Sequence, residues 1–296
     1  MRGRLRQPSW QDVSWPARDP SLVPLMEKIA VYGKGGVGKS VIATSLSAHF
    51  ALGGRSVLHV GCDPKQDSAF RLTNGARIPS VLDVLARSPQ LTSASSVLHP
   101  GRHKIICCES GGPEPGLGCG GRGVARTLEF LGEMEVLETG NYDVVMFDVL
   151  GDVVCGGFAA PLRQGFAQKV VIVLSEEPMA LFAANNIAKA INTYRRNGVC
   201  LAGFVANLRS ADGDAALLER FAEELSTRLL ATIPRDPEII AAEKVRQTVV
   251  EFAPESAASR QLAKLALGIE AVEPATQPLP TPLSEEAFFE FIKDEP

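Results

Sequence analysis

The chain has 296 residues, 45% of them hydrophobic and 22% charged, with a formal net charge of −4. That composition suits a globular protein with a sizeable core. It carries no basic excess that would mark a nucleic-acid surface, and no apolar run reaches the roughly 18 residues of a membrane span. Nucleic acid and membrane are therefore excluded as expected partners. Six cysteines without an export signal point to a reducing, cytoplasmic setting, where thiols serve as core filler, metal ligands or redox groups.

Residues 1–25, with Arg2, Arg4, Arg6, Trp10 and Trp15, lack the apolar core of a secretory signal and read as a flexible N-terminal extension. From Met26 onward, short apolar runs alternate with longer helical patterns. Strands are predicted over residues 28–32, 57–60, 105–108, 144–147, 170–174, 201–206 and 229–233. Their Val, Ile and Leu follow one another without strict alternation, as in strands buried on both faces of a parallel sheet. Helices are predicted over residues 39–52, 80–85, 121–134, 179–197, 214–226 and 237–243. The alternation defines an α/β fold, a single doubly wound and mostly parallel sheet with helices on both faces. This domain is expected to span residues 26–272. Four prolines between residues 273 and 282 mark an extended connector, and Ser284 can cap a last helix over 285–292 that ends the 273–296 tail.

The sharpest motif follows the first strand. Gly33, Lys34, Gly35, Gly36, Val37, Gly38, Lys39 and Ser40 match G-x-x-x-x-G-K-[ST] between a strand and a helix. Glycines let backbone N–H groups close on phosphates, and the helix N-terminus favours an anion. Lys39 is expected at the β- and γ-phosphates of ATP, and the Ser40 hydroxyl on Mg²⁺. Two acidic stretches complete the site. One, residues 61–68, holds Asp63, Lys65 and Asp67; the other, residues 147–152, holds Asp148 and Asp152. Asp148, at a strand end, is the natural Mg²⁺-side carboxylate. Asp63, Asp67 and Asp152 are candidates for orienting water or sensing the γ-phosphate, and Lys65 joins the nucleotide-binding set.

Cys119 and Cys155 lie at turns after strands, each followed by glycine, so that backbone can approach a bulky inorganic group. The helix beginning beside Cys119 favours a thiolate there. A [4Fe–4S] cluster usually takes four cysteine thiolates, and the chain has no C-x-x-C pair. Two ligands per chain doubled by a two-fold axis would supply four; two buried thiols are the plainer reading. Cys62, Cys107, Cys108 and Cys200 read as structural. The histidines, including His49 and His59 inside predicted elements, show no ligand spacing and receive no role.

Lys34, a second lysine early in the loop, resembles the deviant Walker A class of dimeric ATPases. Together with residues 62–68, 109–123, 148–158 and 179–187 it makes residues 28–270 resemble the nitrogenase iron-protein family. The resemblance implies a homodimer in which Lys34 reaches the partner's nucleotide, with Lys34, Asp63 and Asp152 as the catalytic set. It implies Cys119 and Cys155 as ligands of one dimer-bridging [4Fe–4S] cluster, MgATP as cofactor, and Asn207 near the adenine. Arg122, three residues after Cys119, matches an arginine that some members have ADP-ribosylated. The implied role is an ATP-dependent reductase component, served by a ferredoxin or flavodoxin and delivering single electrons to a larger nitrogenase-like partner. Related reductases serve methylthio-alkane reductase and the dark-operative (proto)chlorophyllide reductases. Val41 and Ile42 depart from the threonines typical of nitrogenase iron proteins. A cluster-free positioning ATPase of the ParA/MinD kind is the alternative from another class. One continuous stretch, 148–155, spans up to roughly 25 Å and can touch both nucleotide and cluster.

Overall fold

The computed structural model describes residues 26–90, 93–112, 119–151, 156–157, 159–163 and 165–293. Its sheet is built from β1 (Glu27–Tyr32), β2 (Val57–Cys62), β3 (His99–Pro100), β4 (Ile106–Glu109), β5 (Val144–Val149), β6 (Lys169–Leu174), β7 (Cys200–Asn207) and β8 (Leu229–Ile233). The spatial order is β3-β4-β2-β5-β1-β6-β7-β8. Every pairing is parallel except the short β3, which runs antiparallel to β4.

The uninterrupted apolar strands are explained by burial on both sides. Along β1, Ala30 and Tyr32 enter one core and Ile29 and Val31 the other. The first core is closed by α3 (Gly120–Glu133), α5 (Pro178–Tyr194) and α6 (Ala215–Glu224), through Leu128, Leu181 and Phe221. The opposite core is closed by α1 (Lys39–Leu52) and α9 (Ala257–Glu270), through Ile42, Leu46, Leu262 and Leu265. Each fully buried Leu or Ile contributes about 1.5–3 kcal/mol. Capping fixes several starts. Ser80 caps α2 (Val81–Arg87), accepting from the Asp83 amide, and Asp214 caps α6, accepting from the Leu217 amide.

The sequence reading left out α4 (Val136–Thr139), α8 (Val249–Phe252) and α9. α9 is the largest omission. Its apolar residues at 258, 262, 265, 266 and 269 recur at helical spacing and face the core, and Ser256 caps it by accepting from the Ser259 amide. α7 (Pro237–Lys244) opens with Pro237 behind the Asp236 cap.

After β8 and α9 the chain runs back over the first face. Buried Asn185 of α5 grips Leu283 at both backbone atoms: its amide donates to the Leu283 carbonyl at 3.0 Å and its carbonyl accepts from the Leu283 amide at 2.8 Å. Ser284 then caps α10 (Glu285–Lys293), accepting from the Ala287 amide at 3.1 Å. Phe288 of α10 is buried against Phe182 and Phe221 at ring-centroid distances of 5.2 and 6.4 Å.

Candidate functional site

The site lies beyond the carboxyl ends of three adjacent strands, β2, β5 and β1, where ligands of doubly wound sheets gather. β1 delivers the loop 33–38. Gly33 has φ +141°, and a Cβ there would lie 2.1 Å from the Val173 carbonyl of β6, so only glycine lets the loop leave the sheet on this path. Gly38, at φ +102°, is the N-cap of α1. A Cβ on Gly38 would meet Asn207 Nδ2 at 2.3 Å. That amide donates instead to the Val37 carbonyl at 2.7 Å, tying the end of β7 to the loop. Lys39 is nearly buried, and its ammonium donates to the Lys34 carbonyl at 3.0 Å, inside the curl of the loop.

The loop opens on a cleft of about 230 Å³, lined by Gly35, Gly36, Gly38, Lys39, Ser40 and Val41 from one side. Asp63, Lys65 and Asp67 from the β2 loop, and Asp148, Val149 and Leu150 from β5, close the other side. Nine of the residues singled out in the sequence thus meet at one cleft, while Val41, Val149 and Leu150 were not anticipated. Gly33, Val37 and Asn207 shape the loop from behind. Lys34 points along the loop's outer edge, with its ammonium 3.9 Å from Glu177. Arg209, which the sequence reading passed over, donates to the Gly36 carbonyl at 3.0 Å and lies 3.8 Å from the same Glu177 carboxylate. The signal that could have found it is its place two residues past Asn207, just beyond the end of β7. Asp152 and Cys155 lie outside the described residues.

Asp148 is the buried charge of the site. Burial pushes its carboxyl up, opposed by hydrogen bonds from the Ser40 and Ser68 hydroxyls and by the Lys39 charge. Carboxylate and hydroxyl oxygens side by side at a phosphate loop are the hard donor set that Mg²⁺ takes. The Asp63 carboxyl is also raised by burial, while the Lys65 amide, donating to it at 2.8 Å, pulls the other way. Glu109, at the end of β4, is raised by burial to about 8 and accepts from the Ala69 amide at 2.6 Å. It anchors the residue after the 63–68 loop.

The cysteine-bearing segments are brought to this same edge. Cys119, exposed, is the N-cap of α3. Pro64 of the acidic loop is wedged beside it: a Cβ on Gly112 or Gly120 would come within 2.4 or 2.5 Å of the Pro64 ring. The turn at Gly156 and Gly157, which immediately follows Cys155, packs on the start of α3. A Cβ on Gly157 would lie 2.2 Å from the Gly121 backbone, and Arg163 holds the turn by donating to the Gly156 carbonyl at 2.6 Å. The backbone two residues after Cys155 thus touches the backbone two residues after Cys119. Such close backbone approach beside an exposed thiol suits a bulky thiolate-bound cluster. Among the described residues no group of three or more His, Cys, Asp and Glu side chains is arranged to hold a metal ion. Arg122 lies on the exposed side of the first turn of α3. No described helix is long and apolar enough to cross a membrane.

Sheet order, phosphate loop and strand-end carboxylates together define a protein of the P-loop NTPase class. Solved structures share the fold. MinD from Pyrococcus furiosus superposes with a TM-score of 0.65 at 23% identity, covering 83% of this chain and 99% of that one. MinD from Pyrococcus horikoshii, solved with Mg-ADP, gives 0.65 at 21% identity, covering 83% and 97%. At such identities the likeness shows the fold alone. The sequence relatives are more specific. The nitrogenase iron protein of Methanospirillum hungatei is 45% identical over 245 residues, covering 81% of this chain and 86% of that protein. That of Methanococcus voltae is 40% identical over 270 residues, covering 90% and 96%. Residues 27–295 match the model of the 4Fe-4S iron sulfur cluster binding proteins of the NifH/frxC type, and the chain belongs to that family.

Proposed function

We propose that the chain is the ATP-dependent reductase component of a nitrogenase or nitrogenase-like system, a cytoplasmic homodimer that hands single electrons to a larger catalytic partner. The observation that carries the reading is the double contact between nucleotide site and cysteine edge. Pro64, between Asp63 and Lys65 of the cleft, packs on Gly112 and Gly120 beside Cys119, while β5 leads from Asp148 toward the Cys155 turn.

The division of labour follows from these positions. Backbone N–H groups of the loop and the Lys39 ammonium hold the triphosphate. Ser40 and Asp148 would hold Mg²⁺. Asp63, Asp67 and Asp152 orient water or sense the γ-phosphate. Lys34 would serve the nucleotide of a second copy; its ion pair with Glu177 at 3.9 Å, on the outer edge of the loop, supports this. Cys119 and Cys155, with the same pair from that copy, would hold a [4Fe–4S] cluster, which when bound supplies a one-electron redox centre. Movement of the 63–68 loop on phosphate binding is transmitted to Cys119 through Pro64, because the glycines it touches leave no slack. Loops held by a γ-phosphate and released on hydrolysis are a known switching device. Residues 26–272 would form the working domain and 273–293 a strap and helix closing the first core; the expected extension, 1–25, lies outside the described residues. Arg122 is a candidate site of ADP-ribosylation. A ferredoxin or flavodoxin is the expected donor.

The test is anaerobic purification, iron and sulfide analysis, and EPR of the dithionite-reduced protein with and without MgATP. About four irons per dimer, with a spin signal that changes on adding MgATP, supports the reading. An iron-free, ATP-hydrolysing dimer even after cluster reconstitution overturns it and favours a positioning ATPase.

A further inference from the structure

Behind Asp148 runs a chain of polar side chains buried in the core. Ser68 Oγ donates to Asp148 Oδ2. His59 Nε2 lies 2.9 Å from Ser68 Oγ, and His59 Nδ1 lies 2.9 Å from Ser47 Oγ on α1. Ser47, His59 and Ser68 are all 0% exposed, and Asp148 is 3% exposed. Three polar side chains lined up in this way, on β2, α1 and the loop between them and Asp148, are costly to bury unless every partner is satisfied.

The bonds fix one direction for every proton. A cation-binding Asp148 is ionised and can only accept, so the single Ser68 hydroxyl proton is committed to it. Ser68 must then accept from His59, which places the imidazole proton on Nε2. Nδ1 is left bare to accept from the Ser47 hydroxyl. Burial lowers the His59 pKa to about 3, so the ring stays neutral and the arrangement holds at any working pH. The chain ends at Ser47 inside a helix, so it is a brace rather than a path for protons to solvent.

We propose that His59 is a positioning residue for the divalent cation of the nucleotide site: by donating to Ser68 it locks the Ser68 hydroxyl onto Asp148 and fixes the carboxylate oxygen left to face the metal. The inference rests on the reading of Asp148 as the Mg²⁺-side carboxylate. Without the His59 donor Ser68 Oγ still bonds Asp148 but loses the partner that fixes its position, and Asp148 loses its set orientation in a cleft that also holds Asp63 and Asp67.

Two polar substitutions separate positioning from packing. In His59→Gln the side-chain amide reaches the Nε2 position and can still donate to Ser68. In His59→Asn the shorter amide occupies the Nδ1 position, keeps Ser47 and leaves Ser68 without its donor. Mn²⁺ is titrated into protein saturated with a non-hydrolysable ATP analogue, and the free-ion EPR signal is followed. His59→Asn is expected to weaken Mn²⁺ binding up to roughly tenfold, the scale of one hydrogen bond, with analogue affinity in EDTA unchanged. His59→Gln is expected to stay within about twofold of the parent. A Ser47→Ala variant, which frees the far end only, is expected to fall between them, and it carries the test if His59→Asn is insoluble. Equal Mn²⁺ affinity in all soluble variants and the parent overturns the brace. Equal losses in the Asn and Gln variants also overturn it, since packing alone would produce them. The Asp148→Asn variant tests the underlying reading separately: Mn²⁺ affinity unmoved there removes Asp148 from the metal site, and the brace with it.

Discussion

Gly157→Ala probes how tightly the two cysteine-bearing segments are registered. Gly157 is not in the left-handed region, so alanine is allowed by its backbone and only space opposes it. A Cβ there lies 2.2 Å from the Gly121 carbonyl carbon and oxygen, whereas ordinary contacts begin at 3.4 Å. One backbone must therefore retreat by about 1.2 Å, and the neighbour is the first turn of a fourteen-residue helix rather than a flexible side chain. Overpacking of this kind costs about 1–3 kcal/mol, against a typical stability of about 5–15 kcal/mol, so the chain is expected to fold. A cluster held as proposed would tolerate little displacement of its ligands, so the variant is expected to hold it poorly. Iron and sulfide analysis of anaerobically purified Gly157→Ala should show less than half of the parent's iron, with ATP binding intact. A variant with the parent's full iron content and an unchanged EPR line shape would refute the reasoning that this contact sets the spacing of the cysteines.

Lys39→Ala is expected to weaken ATP binding roughly 10- to 100-fold, the range for a lost charge-assisted hydrogen bond, as read by equilibrium dialysis, while iron content stays at the parent level. Pro64→Gly should leave iron content unchanged and blunt the EPR response to MgATP, since the ring touching Gly112 and Gly120 is removed; an undiminished response would rule out this contact as a coupling path. Phe288→Ala opens a hole among Phe182, Phe221 and Phe289, and urea denaturation should show a loss of about 3–5 kcal/mol. Burial alone would raise the Glu251 carboxyl, but bonds from His103, Thr248 and Arg102 hold it at about 2. A carboxyl depressed on folding contributes stability above its ordinary value of 4.5, and this is lost as pH falls toward 2. The stability gap between parent and Glu251→Gln should accordingly close over that interval, measured by denaturant midpoints at each pH.

Much of the fold was legible because its signals are local. The helix following Lys39 begins and ends as read, since the glycine loop before it and Gly53 after it punctuate both ends. The 229–233 strand also kept its predicted bounds. α9 was missed although its apolar spacing and Ser256 cap stand in the sequence; no strand follows it to complete the strand–helix–strand alternation by which most of the helices were read. The two-residue β3 has no periodicity to read and exists through its pairing with β4. The phosphate loop and strand-end aspartates were legible as chemistry that needs fixed residue types at fixed spacing. His59 was not. A histidine inside a strand reads as core, and only the fold brings Ser47 and Ser68 to its two nitrogens. The Pro64 wedge was equally invisible, since Gly112 and Gly120 lie nearly fifty residues or more from it along the chain.

The place of β1 in the middle of the sheet has a consequence for synthesis. Its neighbours are β5 and β6, so Val31 pairs with Asp148 on one side and with Val171 on the other. At roughly 5–20 residues per second, the stretch of about 140 residues from the end of β1 to the end of β6 takes on the order of 7–30 s to translate. Until β5 follows, both edges of β1 lie bare, and until β6 follows one edge still does, with Ile29, Ala30, Val31 and Tyr32 outside the cores they later fill, the condition under which nascent chains aggregate. Gly33, at the start of the phosphate loop, likewise meets its neighbour Val173 only when β6 arrives. Nascent chains held by a trigger-factor-type chaperone over this window should therefore reach the ATP-binding state in higher yield than those released early.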